Sequence, residues 1–457
     1  MRCAEQIRKV PAWRRGPLAA FLLSVLLSAC GGGDSTTVTY SGPGLEPGVA
    51  PVAEAVQAEP TGTNTTEVLV DSGPPGFGSL GAANIPYVTV TVCAPGSSTQ
   101  CATIDHVILD TGSYGLRVLR SKVEALSLPP VQLTASPVNG TAVECYPFVV
   151  GGLWGPLAYA DVLVAGETAS QIPVQLIDDL GGAGSGPTAD CKQATGDQVL
   201  SSASELQANG VLGIGMVGID CGKTCALGDY AGGHVQYYVC PDSATVNCQA
   251  AAIPNALQTQ NPVVHFAQNN NGTIIRMPPL PVLGAGKARG RLVFGIGTQA
   301  NNQITPTASA NTVWVDTDPA NYLTTYLFIT TTLGSRSYIQ SYIDSGSNAL
   351  FFEDATLSLL CQVNSGSAQG GWYCPAKAQD LQAMLSDLTG HSAAVSFSVN
   401  SADALFSTTS TAFPNLSGSV GQGAQTFVWG MPFFYGRSVY TSIWGQTLST
   451  NGPWYAF

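Results

Sequence analysis

The chain has 457 residues, of which 45% are hydrophobic and only 10% are charged, and it contains 52 Gly and 29 Pro. The high apolar content and low charge density exclude a largely disordered chain, and the frequent Gly and Pro exclude coiled coils and helical repeats. The length allows one large domain or two ordinary ones. Because the net charge is −12, the surface repels phosphate backbones, and we expect no nucleic-acid partner.

The N-terminal segment has the three successive parts of a secretory signal peptide. Basic residues end at Arg14-Arg15, an apolar run covers residues 18–27, and small residues lead to Cys30. The apolar run is too short for a permanent membrane-spanning helix. The sequence Leu-Ser-Ala-Cys that ends at Cys30 is similar to a bacterial lipobox, which implies cleavage before this cysteine and attachment of a lipid to it. An ordinary secretory signal beside a cysteine is the alternative.

Residues 30–64 predict a flexible tether, because they are rich in Gly, Pro, Thr and Ala and lack periodicity. Removal of the signal peptide, residues 1–29, leaves a net charge of −16, since that segment carries five basic residues and one acidic residue. We expect a periplasmic or surface-exposed protein of the bacterial cell envelope, attached to the membrane by its lipid alone. Gly31 is not the acidic residue that retains some lipoproteins in the inner membrane, which favours the outer membrane.

The cysteine count predicts disulfide bonds. Apart from Cys3 and Cys30 the chain has ten cysteines, an even number that suits an oxidising compartment. The simplest of many connectivities pairs sequence neighbours and then the remaining two: Cys93–Cys101, Cys221–Cys225, Cys240–Cys248, Cys361–Cys374 and Cys145–Cys191. A zinc site at Cys221 and Cys225 is the alternative. None of the four His lies at ligand spacing from them, so the disulfide is favoured and we expect no metal.

From Glu67 onward the hydrophobic pattern predicts an all-β protein. Short runs rich in Val, Ile, Tyr and Thr recur between clusters of Gly, Pro and Asn, which is typical of antiparallel sheets. The clearest runs are residues 87–92, 159–164, 290–295 and 322–329. One segment, Ala376 to Leu388, departs from this pattern: it has Leu381, Met384, Leu385 and Leu388 at helical spacing, which predicts an amphipathic helix. Residues 268–290 are interpreted as a connection between the two halves.

Two segments carry the residues best suited to catalysis. Each runs from an apolar strand through an aspartate loop and back into apolar sequence, and the loops are Asp110-Thr111-Gly112-Ser113 and Asp344-Ser345-Gly346-Ser347. A single such triplet is weak evidence because turns use these residues freely, whereas two copies after apolar strands are much more specific. If the loops face each other, the two carboxylates crowd together and share one proton, so one serves as general base and the other as general acid.

With these two loops, the chain resembles the pepsin-like aspartic peptidases. Further islands are similar to segments of that family and occur in the same order: residues 210–214, 290–295, 427–434, 439–444 and 454–457. Residues 210–214 would lie beside the first Asp loop, and residues 427–434 would lie beside the second. The resemblance covers roughly residues 65–457. We also expect kinship with an uncharacterised family of bacterial lipoproteins.

The resemblance implies an all-β, bilobal fold with a cleft between two pseudo-symmetric lobes. The N-terminal lobe would comprise residues 65–285, with the first Asp loop and a flap, and the C-terminal lobe residues 286–457. Asp110 and Asp344 would form the catalytic dyad. The remaining loop residues would support them: Thr111 and Ser345 by joining the loops through hydroxyl-to-backbone hydrogen bonds, Gly112 and Gly346 by allowing close approach, Ser113 and Ser347 by bonding the outer carboxylate oxygens.

The resemblance also places a flap, the hairpin that closes over substrate, between Tyr146 and Tyr159. The family usually has a tyrosine on this flap, and here Phe148 aligns with it. Tyr146 or Trp154 could take its place, so these three residues are the expected substrate contacts on the flap.

We therefore expect a lipid-anchored aspartic endopeptidase that hydrolyses an extended peptide or protein substrate with water activated between the two aspartates. The expected enzyme needs no cofactor and is a monomer. The alternative is a catalytically silent envelope lipoprotein that keeps the fold and the peptide-binding cleft. A purely structural lipoprotein is a more distant alternative, because it would leave both Asp loops without a purpose.

Other chemical motifs are less specific. The triplet Asp71-Ser72-Gly73 is followed by two prolines, which predicts a turn rather than a catalytic loop. His106, four residues before Asp110, is interpreted as structural. The chain has no Gly-x-Ser-x-Gly nucleophile elbow. The glycine-rich residues 181–186 lack the Gly-Lys-Ser/Thr ending of a phosphate-binding loop, which predicts a mobile loop.

Overall fold

The computed structural model describes residues 50–75, 82–135, 138–149, 151–181, 186–228, 234–241, 247–315, 327–357, 361, 371–421, 424–446 and 453–457. The expected signal peptide and Cys30 lie outside these residues, as does the first part of the expected tether. The last part of the expected tether, residues 50–64, differs from the prediction. A short strand at Ala55–Val56 pairs in parallel with residues 288–289, so this segment is part of a sheet.

The described residues form an all-β protein, as the sequence pattern predicts. The strands of the first half are β1 Ala55–Val56, β2 Thr65–Val70, β3 Pro86–Cys93, β4 Cys101–Asp110, β5 Tyr114–Leu119, β6 Gln132–Ala135, β7 Val138–Phe148, β8 Gly151–Val164, β9 Glu167–Ile177, β10 Gly210–Ile214, β11 Tyr237–Cys240 and β12 Gln249–Ala250. The next strand is β13 Gly272–Arg276, which also precedes residue 286, and the strands of the second half are β14 Ala288–Phe294, β15 Val313–Trp314, β16 Ile329–Leu333, β17 Arg336–Ile343, β18 Leu350–Phe351, β19 Gln379–Ser386, β20 Ser392–Val399, β21 Ser417–Gly418, β22 Val428–Trp429, β23 Ser438–Ser442 and β24 Trp454–Ala456.

The described helices are short. The α-helices are α1 Ala189–Ala194, α2 Ala203–Leu206, α3 Lys223–Leu227, α4 Pro306–Ala310 and α5 Ala402–Phe406. Single 3₁₀ turns occur at Arg120–Lys122, Asn255–Leu257, Pro262–His265, Ala300–Asn302 and Met431–Phe433. Within the part of the chain that the structure describes, no helix has the length and apolar character needed to cross a membrane.

The strands form a larger sheet of 17 strands and a smaller sheet of seven. The larger sheet joins the two halves of the chain, because β14 pairs antiparallel with β2 and β13 pairs antiparallel with β23. The smaller sheet has the order β20-β19-β16-β17-β22-β18-β21 and comes entirely from the second half. The segment interpreted as a connection, residues 268–290, therefore contains β13 and the start of β14, two strands of the shared sheet.

The main apolar core runs beneath both Asp loops. It contains Leu109 and Leu212 from the first half and Trp429 from the second, all at most 1% exposed. The Phe427 ring stacks on Trp429 with ring centres 4.3 Å apart and on Phe352 at 4.6 Å. Aromatic rings of this size bury large apolar areas and fix the packing around them. The strands that carry the aspartates are thus anchored in a rigid core.

The predicted helix at Ala376 to Leu388 is wrong. This segment contains β19, which pairs antiparallel with both β16 and β20. Ala383 and Leu385 are buried while Met384 between them is 42% exposed, so the burial has the period of two that a strand requires. The apolar residues also satisfied helical spacing, and pairing with two neighbouring strands decided between the patterns.

The expected disulfide pairing is confirmed. All five bonds are present: Cys93–Cys101, Cys145–Cys191, Cys221–Cys225, Cys240–Cys248 and Cys361–Cys374. The alternative of a zinc site at Cys221 and Cys225 is excluded by their bond, because the sulfurs of a disulfide are not thiolate ligands.

Candidate active site

The first aspartate lies at the end of a strand that pairs with the buried strand β10. Asp110 is the last residue of β4. The strand β10 lies between β4 and β5, since it pairs in parallel with β4 and antiparallel with β5. Its apolar sequence is buried throughout, as expected for a strand with neighbours on both sides. Gly213 of β10 pairs with Asp110, and a side chain there would come within 2.5 Å of the Tyr114 nitrogen.

The second aspartate is held by the same arrangement of strands. Asp344 follows β17 directly, and its backbone N–H donates to the Trp429 carbonyl oxygen at 3.0 Å. The strand β22 lies between β17, with which it is parallel, and β18, with which it is antiparallel. Gly430 follows β22, and a Cβ atom there would come within 2.1 Å of the Ala349 carbonyl oxygen. Two buried three-strand units therefore present one aspartate each.

The hydroxyl residues after the aspartates join the two loops. The Thr111 N–H donates to Ser345 Oγ at 3.1 Å, and the Ser345 N–H donates to Thr111 Oγ1 at 2.9 Å. Each hydroxyl also donates across the junction to the strand of the other loop. Thr111 bonds the Ile343 carbonyl oxygen at 3.3 Å, and Ser345 bonds that of Leu109 at 2.7 Å. This reciprocal pattern fixes the distance between the loops.

Each aspartate carboxyl group accepts two hydrogen bonds from its own loop. The Gly112 N–H donates to Asp110 Oδ1 at 2.7 Å, and the Ser113 hydroxyl donates to Oδ2 at 2.5 Å. The second loop repeats these contacts. There the Gly346 N–H bonds Asp344 Oδ1 at 2.8 Å and the Ser347 hydroxyl bonds Oδ2 at 2.6 Å. Both carboxyl groups are therefore held in fixed orientations.

The glycine of each loop faces the aspartate of the other. A Cβ atom on Gly112 would lie 2.7 Å from Asp344 Cγ, and one on Gly346 would lie 2.6 Å from Asp110 Oδ1. No side chain fits at either position, so glycine is required for this close approach. The two carboxyl groups consequently lie close enough for the Asp110 charge to act on Asp344.

Because the two carboxyl groups are buried next to each other, their surroundings change their tendency to ionise. Asp110 is 6% exposed and Asp344 is 9% exposed. Burial, and then the neighbouring Asp110 charge, raise the pKa of Asp344 to about 8. At neutral pH the Asp344 carboxyl group therefore retains its proton. Such a pair can remove a proton from a bound water and donate another to a substrate atom at the same time.

Three tyrosines surround the dyad. Burial raises the pKa of Tyr114 and that of Tyr342, and the charges of both aspartates raise them further. Burial also raises the pKa of Tyr455, and the Asp344 charge contributes in the same direction. The Tyr455 hydroxyl donates to the Ile343 carbonyl oxygen at 3.3 Å. The phenols therefore stay neutral. Sequence reasoning missed these residues, although Tyr114 directly follows the first Asp loop and Tyr342 lies two residues before Asp344.

The three expected flap residues have different surroundings. They lie on the hairpin formed by β7 and β8, in which Phe148 pairs with Gly151. Tyr146 is the one near the dyad: burial raises the pKa of its phenol, and the Asp110 charge contributes to the same direction. Phe148 packs against the Tyr146 ring with ring centres 4.9 Å apart. Trp154 instead lies in the core, 2% exposed, against Tyr238.

The structure also describes Asp71 and His106, which the sequence analysis interpreted as a turn residue and a structural residue. Asp71 lies in the turn after β2, where its Oδ1 accepts a hydrogen bond from the Gly73 N–H at 2.9 Å. His106 sits beside that carboxylate, with Nε2 3.4 Å from Asp71 Oδ1, and beside Asp105; the contact with Asp71 is the main cause that raises its pKa. Among the described residues, the one cluster of possible metal ligands is Cys361, Cys374 and Asp403, but its cysteines form a disulfide.

The comparison with known families corrects the sequence-based assignment. The chain belongs to the family described as "Protein of unknown function (DUF3443)", whose model matches residues 60–457. No curated protein matches the chain. The assignment to the pepsin-like aspartic peptidases is therefore wrong at the level of the family. It depended on short islands around two triplets, and motifs of that length recur without common membership.

Proposed function

We propose that the protein is an aspartic endopeptidase that hydrolyses peptide bonds with a water activated between Asp110 and Asp344. The observation that carries this proposal is the pair of buried carboxyl groups, which are oriented by the hydroxyl groups of their own loops and face each other closely enough for the Asp110 charge to raise the pKa of Asp344. The proposal depends on this site and on no family relationship, since function is argued from the site rather than the fold.

The proposed reaction starts from Asp110 ionised and Asp344 protonated. Asp110 removes a proton from the water, whose oxygen attacks the peptide carbonyl carbon, while Asp344 donates its proton to the carbonyl oxygen. In the resulting tetrahedral intermediate, Asp110 returns a proton to the amide nitrogen as the carbon–nitrogen bond breaks. Asp344 then recovers its proton from the intermediate's hydroxyl group. The dyad ends with one proton, as it began, and no covalent intermediate or cofactor is required.

We further propose that the two halves, residues 65–285 and 286–457, form two lobes with a peptide-binding cleft between them. An extended peptide would bind there through backbone hydrogen bonds and side-chain pockets. The reciprocal bonds between Thr111 and Ser345 support this arrangement, because they join the halves where the dyad lies. Tyr146 is the flap residue that supports a substrate contact best, since its phenol feels the Asp110 charge.

The proposed location is the bacterial cell envelope, with a lipid on Cys30 as membrane anchor and the protein a monomer. The five disulfides support an oxidising compartment.

A catalytically silent peptide-binding lipoprotein is the second candidate. The observation that favours it is Phe148 at the end of β7, which offers no hydroxyl to a substrate. Such a protein would bind extended peptides without cleaving them.

The test is incubation of the purified protein with a diverse peptide mixture from acidic to mildly alkaline pH, followed by mass spectrometry. We expect cleavage that pepstatin, an inhibitor of aspartic dyads, prevents and that Asp344→Asn abolishes. Binding of peptides by the folded protein without cleavage at any pH would contradict the proposal and support the binding protein.

A further inference from the structure

A fully buried ion cluster lies next to the candidate active site. Arg117 of β5 has no exposed surface, and its Nη2 lies 2.7 Å from Glu144 Oε1 and 3.1 Å from Asp220 Oδ2. The side chains of both acids are also fully buried. Arg117 belongs to the strand that leaves the first Asp loop, Glu144 belongs to the hairpin strand β7, and Asp220 follows β10. The cluster therefore ties together three segments that surround Asp110.

The arginine also contacts two tyrosines that border the dyad. Its Nη1 donates to the Tyr114 carbonyl oxygen at 2.8 Å, and its guanidinium carbon lies 3.6 Å from the centre of the Tyr146 ring. Stacking of a guanidinium on an aromatic face is favourable and fixes the ring's orientation. Burial raises the pKa of Tyr114 and that of Tyr146, and the Asp110 charge contributes to both increases. Arg117 is thus the residue that links the hairpin to the first Asp loop.

The charges of the cluster balance. Burial raises the pKa of Asp220 well above its usual value, and the Glu144 charge raises it further. For Glu144 burial acts in the same direction, but the Arg117 charge and several hydrogen bonds outweigh it and lower its pKa. The directions of these pKa shifts favour a proton on Asp220 and a charge on Glu144, beside the one guanidinium. Tyr237 and Gln236 also donate hydrogen bonds to the Asp220 carboxyl group, and Thr259 donates one to that of Glu144.

Stability alone does not account for this cluster. Removal of three ionisable groups from water costs several kcal/mol, and apolar side chains of similar volume are often as stable or more so. What a planar cation adds is a defined orientation for the groups it contacts. Here those groups are the Tyr146 ring and the backbone of Tyr114.

We infer that Arg117 is a positioning residue, held by Glu144 and Asp220, that fixes the Tyr146 side chain relative to the first Asp loop for contact with the substrate. This inference rests on the proposed peptidase function. It names a specific route of action: Arg117 acts on catalysis through Tyr146 and does not touch the substrate.

The test is a double-mutant cycle of Arg117→Lys and Tyr146→Phe on kcat/KM for a cleaved peptide. Lysine keeps the charge beside the acids but lacks the planar group that stacks on the ring. We expect Arg117→Lys alone to lower kcat/KM by up to about tenfold, the loss expected when the Tyr146 hydroxyl itself is removed. Once the hydroxyl is absent, the same change should have little effect, so the two losses should not add. Arg120 directly follows β5 and its side chain is 40% exposed, so Arg120→Lys is the matched control and should have the activity of wild type.

A readout independent of activity is hydrogen exchange of the amides in the β7–β8 hairpin. Arg117→Lys should speed exchange there while leaving that of β16 and β19 unchanged. If this variant does not fold, the combination Arg117→Met, Glu144→Gln and Asp220→Asn removes every charge of the cluster at similar volume and takes its place in both measurements.

The outcomes separate the two proposals. A folded wild type that cleaves no peptide would overturn the proposed function and, with it, the catalytic role of Arg117. An active wild type with additive losses, or with unchanged exchange in the hairpin, would overturn the inference about Arg117 alone.

Discussion

Thr111 and Ser345 exchange hydrogen bonds although they stand 234 residues apart: the backbone N–H of each donates to the hydroxyl oxygen of the other. Each hydroxyl then donates to a carbonyl oxygen of the opposite strand. All of these groups are buried, so none can exchange its partner for water. The pair therefore fixes where the two aspartates meet.

The first prediction concerns this junction. Thr111→Val removes the hydroxyl at nearly constant volume and leaves the Ser345 N–H without an acceptor. An unsatisfied buried group of this kind costs about 1–3 kcal/mol, so we expect the free energy of unfolding to fall by that amount. Urea denaturation measures it. Thr91→Val is the matched control, since Thr91 makes an exposed hydroxyl contact with Thr103; an equal loss in both variants would contradict the role of the junction.

The second prediction concerns pH and stability. Burial beside Asp110 raises the pKa of Asp344 from 3.8 to about 8. Between these values the folded protein retains a proton that the unfolded chain has lost, so the free energy of unfolding should fall as pH rises from about 4 to about 8. Asp344→Asn removes this dependence. Urea unfolding at both ends of the range should show a smaller fall for the variant, and an equal fall would contradict the shared proton.

The third prediction concerns the loop glycines. Gly346→Ala would place a methyl group 2.6 Å from Asp110 Oδ1 and must push the carboxyl groups apart. Because small displacements of reacting groups are costly, we expect kcat/KM to fall on the order of a hundredfold. Gly218→Ala is the control, since its methyl group would meet only Val264 side-chain carbons at 3.3 Å. Similar activity in both variants would show that the close approach is unnecessary.

The fourth prediction separates two aromatic residues of the hairpin. Tyr146→Phe should lower kcat/KM by about tenfold with little change in the melting temperature, because it removes one hydroxyl near the dyad. Trp154→Phe should do the opposite: it leaves a cavity in the core and costs about 1–3 kcal/mol of stability. Peptide cleavage and thermal unfolding, measured on both variants, check this. A loss of activity confined to the Trp154 variant would reverse the assignment.

The sequence predicted those features that depend on local pattern. Alternating apolar runs gave the all-β class, and close spacing of most cysteines gave the disulfides. The Asp loops were recognisable because both follow apolar strands. The helix predicted at Ala376 to Leu388 was wrong because short apolar runs can satisfy both periodicities, and only the neighbours β16 and β20 decide between them.

The rest depends on contacts between distant segments. Arg117 lies within an apolar strand and is separated from Glu144 by 27 residues and from Asp220 by 103. No spacing rule joins three such positions. Trp154 and Tyr146 both lie on the hairpin strands, and their sequence gives no sign of which one is near the dyad and which one is core. The family assignment failed for a related reason, since short motifs were read without the sequence between them.

The most direct measurement of the central claim is cleavage of the best peptide substrate by Asp110→Asn beside Asp71→Asn, at the pH where wild type is most active. Asp71 has the same Asp-Ser-Gly sequence but bonds only its own turn and His106 among the described residues. We predict that Asp110→Asn folds and cleaves nothing measurable, because an amide cannot accept a proton from the water, while Asp71→Asn cleaves as wild type does. Undiminished cleavage by Asp110→Asn would contradict the account.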